Sequence, residues 1–206
     1  MKRLAVLGAS GHGKVIAEIA ELNGWKVFFF DDAYPGVSDL EHWPVVGGTE
    51  QLINTLSSFQ GCFIAIGNNR IRLQKQLQLF SFGAHFPVLI HPNSVVSRMA
   101  TLQDGTVVMA NAVVNPFTRV GRANILNTSS TVDHDCVLAD GVHISPGANL
   151  AGSVHVGTCS WVGIGASVKQ CVTIGENVTV GANAAVVSNV SDDKTIVGIP
   201  AKPLGS

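Results

Sequence analysis

From Val96 to Val186 an aliphatic residue returns at every sixth position without a slip, sixteen times in all. The series is Val96, Leu102, Val108, Val114, Val120, Leu126, Val132, Leu138, Ile144, Leu150, Val156, Val162, Val168, Ile174, Val180 and Val186. Helices and strands give hydrophobic periods of 3.6 and 2, so a sustained period of six marks a chain that coils in repeating sides. Four residues after each aliphatic the side chain is mostly small, as at Ala100, Thr106, Ala112, Thr118, Ser130, Cys136, Ala148, Ser160, Ala166 and Ala184. Glycine directly follows the aliphatic at Gly121, Gly157, Gly163, Gly175 and Gly181, where a chain turning a corner is expected to use backbone freedom. One large apolar and one small residue per hexad suits the interior of a narrow parallel β-solenoid.

Charged residues make up 13% of the 206, about half the ~25% usual in globular proteins, as expected if the coils must stack on apolar faces. A formal net charge of -1 gives no electrostatic case for nucleic acid or an anionic membrane. The opening MKRLAVLGASG is interrupted by glycine too early for a signal peptide. No apolar run approaches the roughly 18 residues of a membrane span. Cys62, Cys136, Cys159 and Cys171 lack metal-like spacing, and two of them are read as filling small hexad positions. They are expected to be reduced packing residues of a cytoplasmic protein.

The chain divides into two grammars, residues 1–90 and 91–206. In the first, Leu4–Leu7 reads as a buried strand, followed by the loop Gly8-Ala9-Ser10-Gly11-His12-Gly13. Val15, Ile16, Ile19, Ala20 and Leu22 then recur at helical spacing until Asn23-Gly24. Lys26–Phe30 and Cys62–Ile66 read as strands, Ile71–Leu79 as a helix and His85–Ile90 as a last strand. The alternation predicts a small parallel α/β sheet, Rossmann-like in kind. In the second grammar the hexads run on, and Val197–Pro203 falls outside them as a tail expected to pack back.

Open α/β sheets bind ligands beyond the carboxyl ends of their strands. Three polar or glycine-rich clusters fall there: Gly8–Gly13, Asp31-Asp32 and Gly67-Asn68-Asn69. GASGHG is not the GxGxxG dinucleotide fingerprint, yet its glycines let main-chain N–H groups at a helix start approach an anion. Asp31 lies about twenty residues further on, where a carboxylate can accept from a ribose or base. Each cluster is also compatible with ordinary turns, but three on one rim favour a nucleotide.

Within the hexads, Asn127 to Cys136 is unusually polar. His134 stands between Asp133 and Asp135, and a carboxylate on one ring nitrogen raises the basicity of the other. Such a histidine suits a general base acting on an amine or hydroxyl. Only one of the two aspartates needs to reach the ring. His143, half a coil further on, and His155 are further candidates, and an inert solvent-facing role suits His155 better than His134.

The hexads resemble the left-handed β-helix of the hexapeptide-repeat acyltransferases. GASGHGKV, FFDD, AIGNNRIR, LIHP, NTSSTVDHDC, HISPGA, VGIGA and VGIPAK, in that order, resemble the bacterial nucleotide-aminosugar N-acetyltransferases of the bacillosamine and perosamine type, with sialate O-acetyltransferases as relatives. The resemblance, which spans essentially the whole chain, supplies the handedness, since a six-residue period does not. It implies a homotrimer that holds acetyl-CoA between adjacent β-helices and the nucleotide of an amino sugar in the N-terminal domain, without a metal. It further implies that His134 is the general base and Asp135 its supporting carboxylate. His143, Gly152, Ile164 and Ala182 would line the acetyl-CoA site, and Ser10, Gly11, His12, Asp31, Asp32 and Gly67 the nucleotide-sugar site. The expected reaction is direct acetyl transfer to a 4-amino group of a nucleotide-linked dideoxy sugar. The alternatives are O-acetylation of a sialate-type hydroxyl and a non-catalytic sugar-nucleotide sensor.

Overall fold

The structure, a computed structural model, describes residues 1–204 and divides into two compact units, Met1–Pro92 and Asn93 onward. The first unit holds β1 (Lys2–Leu7), α1 (Gly11–Leu22), β2 (Trp25–Phe30), a small hairpin of β3 (Asp39–Leu40) and β4 (Trp43–Pro44), α2 (Thr49–Thr55), β5 (Gly61–Ile64) and α3 (Asn69–Ser81). Its sheet has the order β2-β1-β5 and is wholly parallel, with Leu4 opposite both Val27 and Gly61. Leu4, Ala5 and Val6 of the central strand are fully buried, which explains the unbroken apolar run. The chain passes from β2 on one side of β1 to β5 on the other. The loops after β1 and β5 therefore face each other across a topological switch point.

His85–Ile90 departs from expectation. Only Leu89–Ile90 is a strand, and it lies outside the three-stranded sheet. His85 does accept from the Cys62 N–H at 2.8 Å, but Pro87 has no N–H to continue a ladder. Conversely, α3 begins at Asn69, two residues before its first apolar position, because the Asn68 side chain caps it by accepting from the Ile71 N–H at 3.1 Å.

The second unit is a parallel β-helix of two-residue strands. One sheet stacks Val95–Val96, Val113–Val114, Thr131–Val132, Asn149–Leu150, Ser167–Val168 and Ala185–Val186. A second stacks Thr101–Leu102, Arg119–Val120, Val137–Leu138, His155–Val156 and Thr173–Ile174. A third includes Val107–Val108, Ile125–Leu126, His143–Ile144, Trp161–Val162 and Thr179–Val180. Each residue pairs with the one eighteen positions on, as Val113 with Thr131 and Ile125 with His143, so three hexads make one coil. From Val108 to Val186 every hexad aliphatic is buried; Val96 and Leu102, in the first coil, are partly exposed. The small position is buried too, and three of its polar members bond the coil above. Thr106 Oγ1 donates to Gly121 O at 2.8 Å, Thr118 Oγ1 to Asp133 O at 2.7 Å and Ser160 Oγ to Gly175 O at 2.7 Å.

The corner glycines correct the sequence reading. Left-handed backbone falls three residues after every aliphatic from Leu102 to Val180, at Gly105, Asn111, Phe117, Ala123, Ser129, Asp135, Gly141, Gly147 and onward, with φ near 60°. Gly121, Gly157, Gly163, Gly175 and Gly181 have no positive φ. They are required for space: a Cβ at Gly157 would lie 2.5 Å from Gly175 C, and one at Gly163 would lie 2.4 Å from Val180 O. Eighteen-residue stacking brings main chain against main chain there, and only hydrogen fits.

The cysteines also divide. All four are free; Cys62 and Cys136 are buried, whereas Cys159 and the exposed Cys171 occupy left-handed corner positions and fill no small site. The tail is partly ladder, since Thr195–Val197 adds in parallel to Thr179–Val180, and Lys202–Pro203 folds back antiparallel on Val197 and Ile196. The hexad count slips in between, where Val190 rather than residue 192 bridges Ile174.

Candidate active site

His134 occupies the corner between the strands Thr131–Val132 and Val137–Leu138, outside the packed interior. Asp135, at φ +60°, is the left-handed corner residue, and its Oδ2 lies 2.8 Å from His134 Nδ1. A carboxylate only accepts, so the proton of a neutral ring sits on Nδ1 and the lone pair on Nε2. Asp133 does not hold the ring. Its Oδ1 accepts from the His134 main-chain N–H and from Asn115 Nδ2, both at 2.8 Å, which fixes the loop from the coil below. Two carboxylates thus surround one exposed imidazole. The hydrogen bond to Asp135, and then the charge of Asp133, raise the His134 pKa above its ordinary value. The Asn115 amide and the His134 N–H hold Asp133 below the usual carboxylate range.

Gly152 is eighteen residues beyond His134 and therefore on the same edge, one coil up. The Ser153 N–H donates to His134 O at 2.9 Å. The other residues expected along the acetyl-CoA groove lie elsewhere on the prism. Ile164 and Ala182 stack on the edge that follows the third sheet, joined by Asn183 N to Ile164 O at 2.8 Å, and Ile164 is exposed. His143 lies in the third sheet, stacked on Trp161 with centroids 5.4 Å apart and planes 7° from parallel. Asn127 Nδ2 is 3.0 Å from His143 Nε2, while Asn127 Oδ1 accepts from the Thr128 N–H at 2.8 Å. With the amide oxygen so engaged, Nε2 of His143 is the acceptor and its Nδ1 carries the proton. His155 is exposed on the second sheet, between Val137 and Thr173, and no hydrogen bond ties it to His134.

In the first unit Gly8, at φ +111°, lets the loop after β1 pass close to β5, where a Cβ would lie 2.8 Å from Ala65 O. Ser10 is the N-cap of α1, and a Cβ at Gly11 would meet nothing within 4 Å. A side chain at residue 11 would thus stand in open space at a helix start, the kind of place where main-chain N–H groups can meet an anion. Asp31 has a structural use that the sequence does not announce. Its Oδ2 accepts from the Ala9 N–H at 2.8 Å and its Oδ1 from the Ala33 N–H at 2.9 Å. Asp32 binds the start of α2, Oδ1 accepting from the Thr49 N–H at 2.7 Å and Oδ2 from Thr49 Oγ1 at 3.0 Å, with Lys75 Nζ 3.7 Å away. These partners, the Thr49 N–H foremost, lower its pKa. Each aspartate retains lone pairs for a ligand, but neither is held for a ligand alone.

His12 is neutral: burial, then the charge of Arg72, lowers its pKa to about 4. Arg72 escapes sequence reading altogether. Its buried guanidinium donates to Ile66 O and Gly67 O, both at 3.1 Å, and to Asn69 Oδ1 at 2.8 Å, bracing the loop after β5. Asn69, Arg72 and Gln76 form a polar stripe at helical spacing on the buried side of α3, which a hydropathy reading assigns to solvent. Among the described residues no group of three or more His, Cys, Asp or Glu is arranged to hold a metal ion, and no helix is long and apolar enough to cross a membrane.

The PglD N-terminal domain family model matches residues 3–79. The acetyltransferase domain of PglB from Neisseria gonorrhoeae, solved with acetyl coenzyme A, is 45% identical, covers 98% of this chain and 99% of that one, and superposes with a TM-score of 0.94. PerB from Caulobacter crescentus, solved with CoA and GDP-perosamine, is 34% identical over 100% of this chain and 98% of that one, with a TM-score of 0.95. GDP-perosamine N-acetyltransferase of Escherichia coli O157:H7 is 33% identical over 146 residues, 68% of this chain and 66% of that enzyme's length.

The titration of His134 is open to direct test. Asp135→Asn keeps a residue suited to φ +60° but replaces the carboxylate whose hydrogen bond raises the pKa with a neutral amide. The imidazole should then titrate at lower pH, nearer its ordinary value, as followed by NMR of the ring protons. An unchanged titration would show that Asp135 does not set the basicity of His134.

Full-length similarity at 45% and 34% identity, with the hexad solenoid and a matched N-terminal domain, makes this chain a member of the hexapeptide-repeat nucleotide-aminosugar N-acetyltransferase family.

Proposed function

We propose that the protein is an acetyl-CoA-dependent N-acetyltransferase acting on the 4-amino group of a nucleotide-linked amino-dideoxy sugar. The observation that carries this reading is the His134 Nδ1 to Asp135 Oδ2 contact at 2.8 Å on an exposed edge, which leaves a basic Nε2 free. That arrangement suits proton removal from an amine. As the amine nitrogen attacks the thioester carbonyl, Nε2 of His134 takes its proton. The tetrahedral intermediate collapses with cleavage of the C–S bond, and the imidazolium returns the proton to the departing coenzyme A sulfur. Main-chain N–H groups or His143 would stabilise the oxyanion. The structures of similar proteins holding acetyl coenzyme A, or CoA with GDP-perosamine, support this pair of substrates. Four free cysteines agree with a cytoplasmic setting.

In this reading Ser10, Gly11, His12, Asp31, Asp32 and Gly67 hold the nucleotide. The acetyl donor is placed against His143, Gly152, Ile164 and Ala182. These last fall on different sides of the prism, which is what a donor lying between two copies of the chain would require. A homotrimer provides such grooves.

Thiol release from acetyl-CoA, measured against a panel of UDP-, GDP- and dTDP-linked 4-amino sugars and sialic acids, should respond to an amino sugar. His134→Ala should then lower turnover by roughly 10²–10⁴-fold. Wild-type turnover in that variant would remove His134 as the base. Response only to a sialic acid would indicate O-acetylation, and binding without thiol release a sensor.

The nucleotide loop is best probed at Gly11, since Asp32→Ala would also uncap α2. A glutamate at residue 11 has room and is tolerated at a helix start, but its charge opposes a phosphate. Gly11→Glu should raise the Michaelis constant for the nucleotide sugar about tenfold or more, a loss of at least about 1.4 kcal/mol. The constant for acetyl-CoA should hold. Equal losses for both substrates, or none, would refute the division of labour.

Assembly is tested by sedimentation at micromolar concentration, where a trimer is expected. A fully active monomer would rule out a donor site shared between copies.

A further inference from the structure

Gly152 has a peculiarity that none of the other corner glycines shares. The atoms nearest to a Cβ at this position belong to the His134 imidazole: 2.6 Å to Cε1, 2.7 Å to Nε2 and 3.3 Å to Nδ1. At Gly157 and Gly163 the nearest atoms are main chain of the next coil, and at Gly121, Gly165 and Gly175 the carboxylate or amide oxygen of an aspartate or asparagine. Gly152 has no positive φ, so alanine would suit its backbone. Its missing side chain serves the ring. We infer that Gly152 is a positioning residue, the bare seat on which the His134 imidazole lies while its Nδ1 reaches Asp135. This deepens the reading of His134 as the base and rests on it for its catalytic consequence.

The geometry follows from the eighteen-residue coil. Residue 152 stands one rung above residue 134, and the Ser153 N–H bond to His134 O at 2.9 Å holds the two corners together. A half-exposed histidine would otherwise sample several rotamers in water. One wall is the carboxylate of Asp135 at 2.8 Å, the other is the Cα of Gly152. A methyl group on that Cα cannot coexist with the ring where it stands. The ring must turn toward solvent, losing its bond to Asp135 and moving Nε2. Gly152 thereby acts on the base through shape, and its main-chain N–H is untouched by the substitution.

Gly152→Ala should lower kcat roughly 10- to 10²-fold, the scale on which a displacement of about 1 Å acts. Since the raised pKa of His134 depends first on Asp135, the ring in Gly152→Ala should titrate at lower pH than in the wild type, by NMR. The decisive comparison is a double-mutant cycle in His134→Ala, where the clash no longer exists. There Gly152→Ala should cost far less turnover than it does beside the intact ring and should keep or raise the Tm, because alanine reduces the freedom of the unfolded chain. A Gly152→Ala protein with wild-type kcat and His134 titration would overturn the inference. So would an equal loss of activity or Tm in both backgrounds, which would place the conflict with something other than the ring. If His134→Ala itself retains full turnover, it is the general-base reading that fails, while the NMR titration still decides whether Gly152 seats the imidazole.

Discussion

The solenoid depends on one constraint: each residue lies beside those eighteen before and after it, and its main chain hydrogen-bonds to the immediate neighbours of those residues. Two-residue strands are far too short to stand alone, and each gains its partners only from the coils above and below. That stacking drives the hexad aliphatics inward and leaves the small position room only for a compact side chain. It also forbids a Cβ at Gly157 and Gly163, where main chain meets main chain. Thr106, Thr118 and Ser160 are accommodated at the small position because each donates to a carbonyl of the next coil, as Thr118 does to Asp133 O. The corners, where ladders are interrupted, are therefore the places where a side chain is released to do chemistry.

At one such corner the same backbone rule also shapes the electrostatics. The left-handed position falls three residues after Val132, on Asp135, and an aspartate tolerates that conformation better than most residues. The carboxylate so placed turns back to the ring preceding it. Asp133, two residues earlier, spends its Oδ1 on the loop and on Asn115, and acts on the histidine through charge. Two chemically equal neighbours acquire different duties from backbone geometry alone. The α/β unit shows the same economy, for Asp31 and Asp32 shape the loops that they border before any ligand arrives.

Period, composition and spacing determined a great deal here. A six-residue period leaves only a coil of equal sides, and it placed every aliphatic from Val108 to Val186 in the interior. Buried runs with intervening helical patterns located β1, β2, β5, α1 and α3 to within a few residues. The polarity of Asn127–Cys136 within an apolar repeat pointed to His134. What lies along one strand or one turn of chain was readable because such contacts are local.

Tertiary structure decided what depends on contacts across coils. Whether a corner glycine serves conformation or space is invisible in one dimension, because the atom it avoids lies eighteen residues away. The choice between Asp133 and Asp135 turned on a backbone dihedral, and the burial of Arg72 on which side of α3 packs inward. Gly152 is the clearest case. As sequence it is one more glycine among 22, assigned with Ile164 and Ala182 to a single groove. Folded, it stands on the edge of His134 and they on another, because eighteen residues, not six, return the chain to the same side.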